Sequence, residues 1–136
     1  MVGPRVFDVE EANAVIPDLQ RIFDGLDELR ERVKTTKLRL NALELIWGEK
    51  VQAADCPDRK EFVHYVEEMK RLEEAFQKES EKVAELGGLV KGLDPGLVDF
   101  YGARDGLLVF LCWQRGESAI TNWHHIDTGF GGRQPL

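Results

Sequence analysis

The stretch Ala12–Trp47, ANAVIPDLQRIFDGLDELRERVKTTKLRLNALELIW, decides the fold class. Ala12, Val15, Leu19, Ile22, Leu26, Leu29, Val33, Thr36, Leu40, Leu43 and Trp47 recur at alternating spacings of three and four. That is the seam of a long helix packed on another helix. A second such run passes through Phe62, Tyr65, Met69, Leu72, Phe76, Glu79, Val83, Leu86 and Val90. The residues between, with Gly48, Asp55, Cys56, Pro57 and Asp58, read as a turn. The two runs predict an antiparallel helical hairpin over 8–90, each helix roughly 45 to 55 Å long at 1.5 Å per residue.

The hairpin's first helix starts cleanly, because the Asp8 carboxylate can cap while Glu11 reaches back from three residues on. Pro17 lacks a backbone donor and pushes Ile16 away from helical geometry, so the helix should kink or split there. Only the N-terminal half carries a further apolar stripe, Val9, Ile16 and Phe23, whose sevenfold steps continue as Arg30 and Lys37. Something must cover that stripe, and the C-terminal part of the chain is the available cover.

Composition changes at Gly87. Before it stand 14 Lys/Arg, 20 Asp/Glu and three glycines; from it onward stand 4, 5 and ten. The second part reads as a small antiparallel sheet over 97–136, with strands at Leu97–Tyr101, Leu107–Trp113 and Ala119–Ile126 and turn signals at Gly102-Ala103-Arg104-Asp105-Gly106 and Gln114-Arg115-Gly116-Glu117. The expectation is a single α+β domain over 1–136, with the long helical hairpin kinked or split near Pro17 and the sheet packed on its N/C-terminal end. The last strand has two open orientations. Inward Ile120 and Ile126 bring Asn122 and His124 inward, whereas inward Ala119 and Trp123 bring His125 and Asp127.

A formal charge of -7 over 136 residues opposes a polyanionic partner, since basic side chains are scattered among acidic ones. Nucleic acid is therefore not expected. The stretch Met1–Glu10 lacks the apolar core of a signal peptide, and Leu107–Trp113 is too short to span a bilayer, so a cytoplasmic protein without a membrane is expected. Two cysteines, Cys56 in a loop and Cys112 within an apolar strand, imply no disulfide framework. Cys112 has no motif partner and reads as a buried inert thiol.

The functional candidates lie in the closing segment, which combines imidazoles, a carboxylate, aromatics, glycines and an arginine. His124 and Asp127, with Glu117 and Glu11 brought in by the fold, can supply nitrogen and oxygen ligands to one divalent metal, with Zn, Mn and Fe equally open. On an extended strand a His-x-x-Asp pair points to opposite faces, so convergence needs a turn at Thr128-Gly129. The alternative is a histidine fixed by a carboxylate as part of the framework. Arg133 can grip a carboxylate or phosphate with its planar fork, or pin the tail to Asp99, Asp127 or another acid. Glu79 interrupts the second seam and reads as a kink in the seam or an exposed edge in preference to a buried ligand or base.

Several of these residues also carry a resemblance. Phe7-Asp8-Val9-Glu10-Glu11-Ala12-Asn13 with Pro17, Leu97-Val98-Asp99-Phe100, Leu111-Cys112-Trp113 with Gly116-Glu117, and Trp123-His124 with Asp127 and Gly129 to Leu136 resemble an uncharacterised bacterial family, domain of unknown function 2203. The resemblance spans essentially the whole chain and marks Glu11, Asn13, Glu117, His124, Asp127 and Arg133. It implies no activity. Two readings of function follow: a binding site for a divalent metal or small anion, open to hydrolysis, or a non-catalytic coiled-coil-type interaction or scaffold protein whose hairpin pairs with another copy, a homodimer being the simplest case, or with a partner, and on which Leu38, Leu45, Ile46 and Val63 remain to be covered.

Overall fold

A computed structural model describes residues 5–136. The chain forms two compact units, one running through Asp24 and resuming at Ser80–Leu136, the other Gly25–Glu79. Both long helices occur. Helix α1 (Val9–Ala14) begins with the capping box, Glu11 N donating to Asp8 Oδ1 at 2.7 Å and Asp8 N to Glu11 Oε1 at 3.0 Å. It ends at Val15, and α2 (Ile16–Trp47) starts immediately. Pro17 thus stands in the first turn of a new helix, where its missing N–H has no partner to lose. The chain divides there.

The unit Gly25–Glu79 is a helical hairpin of α2 and α3 (Arg59–Glu85), joined through a 3-10 turn at Gly48–Gln52. Leu43, Val51 and Phe62 form the core at its tip, with Leu40, Trp47 and Tyr65 against them. Trp47 Nε1 donates to Asp58 Oδ2 at 2.8 Å and ties the turn to the first helix. Gly25 faces Glu79 across the hairpin, a Cβ at Gly25 lying 3.4 Å from Glu79 Oε1, so the interrupted seam position meets the smallest residue of the other helix.

The other unit holds a five-stranded antiparallel sheet in the order β1-β2-β3-β4-β5: Leu89–Leu93, Gly96–Arg104, Leu107–Gln114, Asn122–His125 and Gln134–Pro135. Two of these strands, β1 and β5, extend the three expected from sequence. The helical reading through Val90 is corrected by β1. Gly87, at φ 92°, is the residue that ends α3: its N–H donates to Ala84 O and the Gly88 N–H to Val83 O, a Schellman closure. The positions Leu86 and Val90 keep the helical spacing, but the chain has already left the helix.

Val98, Phe100, Leu111 and Trp113 share one face of the sheet and are buried. They meet Phe7, Phe23 and Val83: Phe7 and Phe100 contact edge to face at 4.9 Å, and Phe23 lies 5.7 Å from Trp113. Of the stripe Val9, Ile16 and Phe23, the last two are buried and Val9 is half-buried, the cover including Trp113 from the C-terminal sheet.

Candidate metal centre

The centre is assembled by strand register. Asp105 and Gly106, at φ 52° and 77°, make the two-residue turn between β2 and β3, the geometry that Asp-Gly favours because both positions need positive φ. Counting outward from that turn places Asp99 opposite Cys112. Strand β4 pairs with the other edge of β3, setting His124 opposite Phe110 and one step diagonally from Cys112. Directly paired residues share a face, so Asp99, Cys112 and His124 stand together on the face turned away from Phe100 and Trp113. Strands β2 and β4 are separated by β3, roughly 9.6 Å apart at 4.8 Å per strand. The small Cys112 side chain lets Asp99 and His124 meet above it.

His124 Nε2 lies 3.1 Å from Asp99 Oδ2, and His124 Nδ1 lies 2.9 Å from the carbonyl oxygen of His125. One potential ligand atom from each of Asp99, Cys112 and His124 falls within 4.8 Å of the others, and the three residues are 3%, 1% and 2% exposed. Both neighbours are acceptors, so either ring nitrogen can carry the hydrogen of a neutral imidazole; on Nδ1 it is donated to the carbonyl. Nε2 then presents a lone pair to a carboxylate oxygen. In that tautomer a metal ion can sit between Nε2 and Asp99; in the other, Nε2 donates to Asp99 directly.

Burial, the Asp99 charge and a hydrogen bond to Asp99 push the Cys112 thiol up to about 12, against a partial counter-effect from Arg133. A thiol so placed is no nucleophile at neutral pH, and a bound cation is what ionises such a group. Cys112 therefore has partners that its isolated place in an apolar strand concealed.

A cleft of about 300 Å³ opens onto the three side chains. Leu97, Phe110, Ile126 and Phe130 give it apolar walls, and Lys91 and Thr128 add polar groups. Thr128 and Phe130 belong to the segment that returns across this face before β5 docks against β4, Gln134 pairing with Trp123 and Pro135 with Asn122. Trp123 and His124 are both buried because the two faces of β4 are covered by different parts of the chain. Neither orientation expected from periodicity holds alone: Trp123 is buried on the face of its partner Leu111, His124 is buried on the opposite face, and Ile126, expected to follow Ile120 inward, is 43% exposed.

The residues singled out from sequence fall into separate places. Glu11 is engaged in the capping box and lies 3.7 Å from Arg5. Asp127 is exposed in the turn after β4. Glu117 Oε1 accepts from Arg133 Nη2 at 2.6 Å and from Gln114 N at 2.6 Å, while the Arg133 guanidinium also donates to Cys112 O at 3.2 Å. Arg133 thus holds the tail against β3 through Glu117, an acid other than the two named beforehand. Asn13 also joins segments, its Oδ1 accepting from Ile120 N at 2.7 Å. Of the four proposed ligands only His124 enters the close group; among the described residues, Asp99 and Cys112 complete it.

An Asp-Cys-His set of this kind can hold a metal ion. With three such protein ligands, a four-coordinate ion would have one position left for water or an exogenous ligand. The profile of the family described as an uncharacterized conserved protein, DUF2203, matches residues 5–136. The chain belongs to that family. No curated protein and no solved structure matches it.

Proposed function

We propose that this protein binds one divalent metal ion through Asp99, Cys112 and His124, with zinc the best-matched ion. The observation that carries this reading is the orientation of His124. Its Nδ1 faces a backbone carbonyl at 2.9 Å and its Nε2 faces Asp99 Oδ2 at 3.1 Å, beside the Cys112 thiol. Ligating histidines characteristically donate their second ring hydrogen to a carbonyl or carboxylate, which fixes the ring for the metal. Tetrahedral ligand bonds of about 2.0–2.2 Å put two zinc-bound N and O atoms ~3.3–3.6 Å apart, a few tenths of an ångström wider than the 3.1 Å between His124 Nε2 and Asp99 Oδ2, so a small side-chain adjustment would bring the pair to chelating separation. A thiolate with imidazole and carboxylate favours zinc over manganese or magnesium, which prefer oxygen ligands.

The metal would polarise a bound water, which makes hydrolysis the chemistry open to such a site. Asp99 is the only carboxylate among the residues lining the cleft, and as a ligand it is not a separate base. Binding, rather than hydrolysis, is what the geometry supports best. Elemental analysis of tag-free protein, dialysed against zinc and then against metal-free buffer, should give about one zinc per chain, and His124→Ala should retain none while keeping its helical circular dichroism. Zinc indistinguishable from buffer in the wild type would overturn the metal reading and leave His124 and Asp99 as a hydrogen-bonded pair of the framework.

A second reading, self-association through the helical hairpin, is favoured by Leu38, Leu45 and Ile46, which are 62%, 89% and 68% exposed. Leu38 and Leu45 are seven residues apart and so belong to one stripe of α2.

A further inference from the structure

The cleft over the metal centre combines features that a bare structural metal site does not need. Its walls at Leu97, Phe110, Ile126 and Phe130 are apolar, while its floor is the three ligating side chains, all nearly inaccessible to solvent. Ligand sites are typically such mostly apolar concavities with a few placed polar groups, and about 300 Å³ lies at the small end of their range. The one cationic side chain among the lining residues is Lys91. It stands where the β1–β2 register shifts between Val90 and Gly92, the kind of bulge that turns a side chain out of the regular alternation.

The Lys91 ammonium lies 4.8 Å from the centre of the Phe110 ring, and that ring lies 5.4 Å from His124. Among the described residues no carboxylate comes within ion-pair distance of Lys91. In the metal-bound state the Asp99 carboxylate and the Cys112 thiolate cancel the charge of a divalent ion. Lys91 is then the uncompensated charge of the cleft, in a protein of net charge -7. The complement is one negative charge on a body that is otherwise apolar.

We propose that the cleft takes a small monocarboxylate with an apolar body, its carboxylate held by the open metal position and Lys91 and its apolar part by Phe110, Ile126 and Phe130. This inference rests on the metal reading above. The test is calorimetric titration of the zinc-loaded full chain with 3-phenylpropionate, alongside its neutral amide and the exposed-site variant Lys91→Gln, with zinc content measured on the same samples. The wild type should bind the carboxylate saturably. The amide, the zinc-free protein and Lys91→Gln should each bind at least about tenfold more weakly, the variant with its zinc unchanged. Full zinc occupancy with no carboxylate binding, with equal binding of acid and amide, or with undiminished binding by Lys91→Gln would overturn the ligand assignment alone. Absence of zinc from the wild type would overturn the metal reading and this inference with it, and the zinc content distinguishes the two failures.

Discussion

At the residue scale, Cys112 has two parts to play: its size allows Asp99 and His124 to meet across β3, and its sulfur, within 4.8 Å of their ligand atoms, would be the third donor to a bound metal. Cys112→Ser keeps the size and removes the soft donor. The expected outcome is a folded protein whose zinc affinity falls by about tenfold or more, read by competition with a chromophoric chelator. Equal affinity would remove Cys112 from the ligand set. Much of this centre was within reach of the sequence: Asp99 is a lone acid in an apolar strand, and the Asp105-Gly106 turn sets it against Cys112. The extended turn reading Gly102 to Gly106 hid that pairing. The third member, His124, arrives over the irregular segment 115–121, whose path no local periodicity encodes.

A second residue makes a sharp case for backbone conformation. Gly87 has φ 92°, and a Cβ there would lie 2.5 Å from the Phe7 ring. Gly87→Ala should cost about 1–2 kcal/mol through the left-handed backbone alone, with the displacement of Phe7 added. Urea unfolding monitored at 222 nm measures it, and an unchanged midpoint would show that α3 ends differently.

At the element scale, the C-terminal segment is a structural member of the sheet. The pair Arg133–Glu117 at 2.6 Å, with side chains 15% and 26% exposed, combines with β5 pairing to hold Thr128 and Phe130 over the cleft. Hydrogen bonds to charged groups of this partial burial contribute about 1.5–3 kcal/mol, so Glu117→Ala should lower stability by about 2 kcal/mol and leave the Arg133 charge without its partner. Removal of Gly129 to Leu136 should lower the melting temperature further than Glu117→Ala does. A truncated protein melting like the wild type would show that the tail contributes nothing.

The same scale shows where sequence patterns end. The division at Pro17 and the capping box at Asp8 and Glu11 are local chemistry and were legible. Strand β1 was not, because Leu86 and Val90 prolong the spacing of the α3 seam past the glycine that terminates it. Strand β5 comprises only Gln134–Pro135, too short for any alternation to register. The separate fates of Glu11, Glu117, His124 and Asp127 were equally hidden, because a capping carboxylate and a ligating carboxylate have the same side chain, and partners distant in sequence decide between them.

At the scale of the whole molecule, charge and exposed apolar surface act on what the chain meets. No helix among the described residues is long and apolar enough to cross a membrane. The exposed Leu38, Leu45 and Ile46 on α2, with Val63 at 37% on α3, leave apolar area on the hairpin unit that a second copy would bury. The expected result is a dimer mass at micromolar concentration by light scattering coupled to size exclusion, shifted toward the monomer by Leu45→Glu. A monomer mass for the wild type would contradict self-association without touching the metal centre.

The claim on which the rest depends is that Asp99, Cys112 and His124 close on one metal ion. Cobalt(II) substitution tests it most directly, because the ion's visible spectrum reports coordination number and its near-ultraviolet spectrum reports a thiolate ligand. The account predicts saturation at about one cobalt per chain, with the strong visible bands of a four-coordinate site and a thiolate-to-cobalt charge-transfer band that disappears in Cys112→Ser. A wild-type spectrum no different from cobalt in buffer would contradict it.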